Sequence, residues 1–322
     1  MNTFGRIFRI SIFGESHGPC VGVTIDGCPP GIPLGAADFT PDLARRRAGA
    51  AGTTPRQEAD APQLMSGVFN GHTTGAPLTV LFENTDTRSE DYEALRATPR
   101  PGHADFVLHE KFRGFNDYRG GGHSSGRLTL GLVAAGVVAK KLLKGITIQA
   151  QLTEAGGSAD IDAAIRRAIE DQDSIGGIVT CRVGGLPAGL GAPFFDSVES
   201  LISHAVFAIP AIKGIEFGSG FAAAGMKGSA HNDAITDARG ATATNHAGGI
   251  NGGITNGNGL YFRVAVKPAS STPQEQRTWN REAQEVRPFR TGGRHDLCIA
   301  LRVPVVVEAV TAIVLADLVQ VQ

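Results

Sequence analysis

A chain of 322 residues, 42% hydrophobic and 19% charged, is long enough for one large domain or two ordinary ones and is neither disordered nor a coiled coil. Its 43 glycines, close to twice the usual share of ~7%, follow no G-X-Y period, which excludes collagen and points to a globular protein rich in tight loops. A formal net charge of −1, from 30 basic and 31 acidic residues, supplies no overall field for nucleic acid, so an anionic partner must be met locally.

The basic residues include 23 arginines, whose planar fork suits phosphate and carboxylate. Cys20, Cys28, Cys181 and Cys298 form no CxxC pair and no Cys/His ligand spacing, which argues against a structural metal or a disulfide framework and fits a reducing cytoplasm. The amino terminus has no signal-peptide pattern, and no uninterrupted apolar run reaches about 18 residues, so a soluble protein without a membrane segment is expected.

In chain order, Arg6–Phe13 and Cys20–Ile25 read as strands flanking a GESHG turn. A Pro/Gly loop follows, then a helix opened by Thr40-Pro41-Asp42 and closed by Arg45, Arg46 and Arg47. Gln63–Phe69 and Leu78–Phe82 read as paired strands around Asn70-Gly71. Residues 100–126 are nearly all loop, and Leu128 opens a buried helix, LTLGLVAAGVVAKKLL. Thr147–Leu152, Ile178–Val183 and Leu260–Val266 read as strands, Ile161–Ile169 and Val198–Ile209 as helices. Residues 226–258 form a second long loop, a polar stretch surrounds Trp279, and a long apolar helix from about Pro304 to Leu318 closes the chain. Strand pairs mixed with helices indicate α+β rather than a βαβ series. Long loops rich in Gly, Arg, His and Asn are the expected place for the site.

GxSxG occurs twice, around Ser16 and Ser124, but neither copy sits between a strand and a helix as a hydrolase elbow requires. GGGHSSGR is better read as an anion cradle of glycine amides, serine hydroxyls and a helix start, with Arg127 adding charge. It contains no GK[ST], and no GxGxxG marks a dinucleotide fold. Histidines lie in loops beside charged or polar groups, as Ser16-His17, His103-Ala-Asp105, Asn245-His246 and Arg294-His295-Asp296, which suits general acid/base chemistry. These residues describe an enzyme for a small, multiply anionic substrate without naming the reaction.

The motifs together resemble the chorismate synthase family over nearly the whole chain, as one domain spanning 1–322. GESHGPCVGVTIDGCPPGIPL, GGGHSSGRLTLGLVAAGVVAKK and GGRHDLCIALRVPVVVEAV look like its three signatures, with LARRRAG, ENTDTRSEDY, RPGHAD, TNHAGGINGGITNG and KPASS in order between them. The resemblance implies an α+β sandwich of helices between β-sheets, assembled as a homotetramer. It implies trans-1,4 elimination of phosphate from 5-enolpyruvylshikimate 3-phosphate to give chorismate, a lyase reaction that needs reduced FMN without net redox change, with NADPH as a reductant. The catalytic histidines would be His17 and His103, with Asp296 helping to remove the ring proton. Flavin contacts would fall on His123, Ser124, Ser125, Pro210, Ala211, Gly252, Lys267, Pro268, Ala269, Ser270, Ser271 and Arg294. Substrate or NADP anions would meet Ser16, Arg46 and Arg127, and no metal is implied.

The chain departs from the family's pattern at His123, where Arg is common, at Ala269 in place of Thr, and at Leu297 in place of Pro. The loop after Arg47 is a residue short and lacks a basic residue, and the segment after Leu152 is compressed. Two other function classes remain open on sequence alone. An acyl hydrolase would show a reactive Ser16 or Ser124, and a non-catalytic flavin or phosphate binder would bind FMN without releasing phosphate.

Overall fold

The structure, a computed structural model, describes residues 2–47, 49, 51–54, 58–87, 92–292 and 295–322. Two antiparallel sheets enclose a layer of helices. The first has the order β1-β2-β3-β5-β4, with β1 Thr3–Phe4, β2 Arg9–Gly14, β3 Cys20–Asp26, β4 Gln63–Ser66 and β5 Leu78–Glu83. The second has the order β8-β9-β7-β6, with β6 Thr147–Ala155, β7 Gly177–Gly184, β8 Ile212–Phe217 and β9 Leu260–Val266. Between them lie α3 (Thr129–Leu142) and α6 (Val303–Val321), with α1 (Thr40–Arg46) and α5 (Val198–Phe207) alongside. Further out lie α2 (Asp105–Lys111) and α4 (Ile161–Asp171). The α+β expectation, with helices between sheets, holds.

Both central helices are apolar on every side because each meets a sheet on one face and a helix on another. Every residue from Thr129 to Ala139 is buried, as is every residue from Val305 to Leu318. The segment Ile299–Val321 is long and apolar enough to cross a membrane by length and composition, yet 78% of its most apolar window is packed inside the chain. The two carboxylates that interrupt it are both partnered. Glu308 receives both Nη groups of Arg45 at 2.7 Å, Lys140 Nζ at 3.1 Å and the Ala150 amide at 2.9 Å. Asp317 accepts the amides of Arg6, Ile7 and Phe8. A buried carboxylate persists only when partnered in this way.

The helices approach closely at one point. A Cβ built on Gly136 would lie 2.4 Å from the Ala309 Cβ and 2.5 Å from its Cα, so only glycine permits this spacing. Both helices start beside Arg46, which bonds Thr129 and is bonded by Arg302, so they run roughly parallel.

Several elements differ from the sequence expectation. Gln63–Ser66 pairs directly with β5, and the Asn70-Gly71 turn closes a separate minimal hairpin, Val68–Phe69 with His72–Thr73. That longer pairing passes through a register shift between Leu64 and Ser66 and stops at Ser66, before the turn. Helix α2 lies within what reads as loop, and Ile212–Phe217, where Lys213, Gly214 and Glu216 mask the pattern, is an edge strand of the second sheet. The polar stretch around Trp279 is a hairpin, Gln276–Asn280 with Glu285–Phe289, whose faces are largely solvated.

Gly136→Ala tests the helix contact. Helix propensity alone would favour Ala by about 1 kcal/mol, but the added methyl cannot fit without parting the helices, an overpacking cost of about 1–3 kcal/mol. Urea unfolding should show a net loss of stability, and an unchanged or raised midpoint would contradict the close approach.

Candidate active site

The site is organised by three consecutive glycines. Gly120, Gly121 and Gly122 have φ of +58°, +82° and +54°, a left-handed run that L side chains rarely adopt. A Cβ on Gly120 would stand 2.3 Å from the His17 ring and 2.8 Å from Ser16 Oγ, and one on Gly121 would stand 3.4 Å from the His103 ring. Two histidines from distant loops thus meet one turn. The turn is tied to the GESHG loop, where the Ser16 amide donates to the Gly122 carbonyl at 3.1 Å and His123 Nδ1 donates to the Gly14 carbonyl at 2.7 Å. Ser124 Oγ donates to the Gly121 carbonyl, and Ser125 caps the turn that leads into α3. Neither GxSxG serine stands on a strand-to-helix elbow. His17 is buried, with its ring edge-on to Tyr92 at 5.0 Å.

His103 has a built-in orienter. Its Nδ1 lies 2.6 Å from Asp105 Oδ1, and Arg100 clasps the same carboxylate through Nε and Nη2, each at 2.8 Å. Arg100 Nη2 also lies 3.1 Å from Nδ1, but a guanidinium has only donors and Nδ1 cannot accept while it donates to Asp105. The shorter contact to the carboxylate decides the tautomer and leaves Nε2 for chemistry. Burial pulls the Asp105 carboxyl upward, but hydrogen bonds from Arg100 and His103 overcome it and hold the group well below the ordinary carboxylate range. Arg100 Nη1 reaches Ser271 Oγ at 2.9 Å, joining this unit to the KPASS segment.

Arg46 and Arg127 are almost completely buried, at 4% and 6% exposure, and share Asp60, itself 4% exposed. Asp60 Oδ1 accepts from Arg127 Nη1 at 2.8 Å and Oδ2 from Arg46 Nη1 at 3.5 Å. Arg46 also donates Nε to Thr129 Oγ1 at 3.0 Å and Nη2 to the Gly126 carbonyl at 3.1 Å. Arg127 donates Nε to Asn84 Oδ1 and Nη2 to the Glu83 carbonyl. Burial, then repulsion from Arg302, pushes the Arg46 guanidinium down to about 9, so it stays charged at neutral pH. The starts of α3 and α6, the positive ends of two helices, converge here. Asp296 accepts the Thr54 amide at 2.8 Å and pairs with Arg302 Nη1 at 3.1 Å. Burial pushes the neighbouring His295 imidazole below its ordinary value, despite the Nε2 contact to the Gly292 carbonyl, so it is neutral at pH 7.

Lys267, Pro268, Ala269, Ser270 and Ser271 follow β9. Ser270 Oγ donates to the Gly102 carbonyl at 2.7 Å, beside His103, and the Ala269 carbonyl accepts from Ser174. Pro210 and Ala211 precede β8, where the Ala211 carbonyl accepts the Lys267 amide at 2.9 Å. Burial, then Lys213, lowers the Lys267 ammonium. Gly252 stands elsewhere. It lies in a small hairpin, Ile250–Asn251 with Ile254–Thr255, beyond the Leu260 end of β9, whereas Lys267 lies beyond the Val266 end. A strand of that length separates the two by about 20 Å. The loop 226–258 is therefore not part of this chain's own site cluster, although its composition suggested it. Arg294 lies outside the described residues. Sequence reading also missed Asp60, a carboxylate outside any motif that reveals its partners only in three dimensions; Asn84, Arg100 and Arg302 were at least inside the quoted ENTDTRSEDY, RPGHAD and GGRHDLCIALRVPVVVEAV segments.

Glycine backbone, two histidines and a pair of buried arginines thus come together in one part of the fold. The profile of the chorismate synthase family matches residues 8–320. The chorismate synthase of Chitinophaga pinensis is 69% identical over 318 residues, covering 98% of this chain and 96% of that protein. Those of Dehalococcoides mccartyi and Desulfovibrio desulfuricans are 44% and 45% identical, again over 98% of this chain and 96% of theirs. A crystal structure of chorismate synthase aligns with a TM-score of 0.75 at 26% identity, covering 98% of this chain and 92% of that one. The chain belongs to the chorismate synthase family, a family of lyases.

The Asp105 clasp makes a pH prediction. A carboxyl depressed by folding stabilises the protein above its unfolded value of about 3.9, and that stability is lost as pH falls through the lower folded value. Asp105→Asn should therefore melt below wild type at pH 7, and the gap should narrow only below about pH 4. Melting curves at pH 7, 5 and 3 check this; a gap that closes already at pH 5 would contradict the clasp.

Proposed function

We propose that the chain converts 5-enolpyruvylshikimate 3-phosphate to chorismate by trans-1,4 elimination of phosphate, with reduced FMN as bound cofactor and NADPH as a reductant for it. The observation that carries this reading is the placing of His17 and His103 against successive glycines of one loop, beside the buried Arg46–Asp60–Arg127 cluster. A substrate with a phosphate and two carboxylates calls for guanidinium forks, and a phosphate leaving group calls for a proton or positive charge beside it.

The residues fit the cofactor. Lys267 and Lys213 lie close enough for Lys213 to lower Lys267, and no carboxylate among the described residues pairs with either, a basic spot suited to a phosphate. Ser124, Ser125, Ser270, Ser271 and Arg294 would complete its hold, with His123, Pro210, Ala211, Pro268 and Ala269 as neighbours. Reduced FMN, when bound, would supply electron density that assists the departure of phosphate without net redox change. Within that frame His17 delivers a proton to the departing phosphate, Arg46 and Arg127 hold substrate anions with Ser16, His103 serves the flavin side, and Asp296 takes part in accepting the ring proton. The whole chain acts as one domain, in the cytoplasm, as a homotetramer. In that assembly Gly252, far from Lys267 in its own chain, would meet a neighbour's cofactor.

The experiment is anaerobic phosphate release with reduced FMN, with oxidised FMN and with none. Elimination at the normal rate without reduced flavin would overturn the reading. His17→Ala and His103→Ala should each lose about 10²–10⁴-fold in turnover. Asp296→Ala should bind FMN and lose turnover, whereas Lys267→Ala should weaken FMN binding itself, both followed by flavin absorbance in stopped flow.

A further inference from the structure

We propose that Asp60 is a positioning residue for substrate anions, a buried carboxylate that sets the angle and separation of the Arg46 and Arg127 guanidiniums. The proposal rests on the reading of function above and extends it to a residue with no place in any motif. Three observations carry it. First, Asp60 is the one carboxylate that both arginines share among the described residues, one oxygen to each, and each Nη1 carries a second N–H beyond the one directed at Asp60. Second, apart from the Glu58 carboxylate 3.9 Å from Arg127 Nη2, the other anchors of the pair come from distant parts of the chain, Asn84 and the Glu83 carbonyl for Arg127, Thr129 and the Gly126 carbonyl for Arg46. Two guanidiniums held this close repel, and removing the shared anion would let them part. Third, Asp60 has φ of +48°, a left-handed conformation uncommon outside glycine, though more accessible to Asp than to most residues.

A carboxylate present only to balance charge would tolerate a shift of one methylene, whereas one that sets geometry would not. Asp60→Glu keeps the charge and moves the oxygens. In the holoenzyme it should raise KM for the enolpyruvyl phosphate ester roughly 10- to 100-fold, the cost of misplacing a charge-assisted contact or two, with kcat changed much less. Binding of inorganic phosphate, followed by calorimetry, should weaken in parallel. Arg127→Lys, which keeps the charge but not the fork, should give a similar loss alone and little further loss when combined with Asp60→Glu.

The phosphate titration separates the two readings. Wild type that binds phosphate in an Asp60-dependent way but turns over no ester would support the positioning role while the assigned reaction fell. Wild-type affinity for phosphate and ester in Asp60→Glu, strictly additive losses in the double variant, or no phosphate binding by wild type would each overturn the proposal. So would failure of both Asp60→Glu and Asp60→Asn to fold, which would assign the carboxylate to stability alone.

Discussion

The contact between Gly136 and Ala309 sets the frame on which the rest of the molecule depends. Because the two central helices touch backbone to backbone and run in the same direction, their starts emerge side by side at one end of the helical layer. Arg127 precedes one start and Arg302 the other, and Arg46 closes a third helix between them. The distance between these cations is therefore set mainly by helix packing and only secondarily by loops. A protein interior is packed densely enough to transmit such a constraint across several turns.

Convergent positive charge is balanced by buried and half-buried carboxylates. Asp60 answers Arg46 and Arg127, Asp296 answers Arg302, and Asp105 answers Arg100. Glu308 does the same for Arg45 and Lys140 deeper in the core. Where both partners are buried, as in Arg46–Asp60–Arg127, the pair is costly to break, since the surviving charge would be left in low dielectric, and so each partner holds the other in one place. Donors held in place in this way would need no reorganisation on binding an anion.

The glycine turn contributes what charge cannot, which is room. A side chain at Gly120 would occupy the space of His17 and one at Gly121 would crowd His103, and the left-handed run lets the backbone itself approach both rings. The Asp105–Arg100 clasp then selects one tautomer of His103.

Much of this was legible in the residue order. The flanking strands of the GESHG turn, the two buried helices, the α+β class and the loop histidines are local patterns, and local patterns survive translation into a one-dimensional text. The RPGHAD and KPASS segments, singled out as motifs, do meet, through Arg100 with Ser271 and Ser270 with Gly102. What the sequence could not supply were relations between distant positions. Asp60 looks like any solvated acid until Arg46 and Arg127 close on it, Ile212–Phe217 becomes a strand only when β9 lies beside it, and Gly252 is separated from Lys267 by the length of a strand although both sit in loops of similar composition. Periodicity reports which face of an element is buried, but which elements share that face depends on packing and electrostatics summed over the whole chain, and only the tertiary structure decided it.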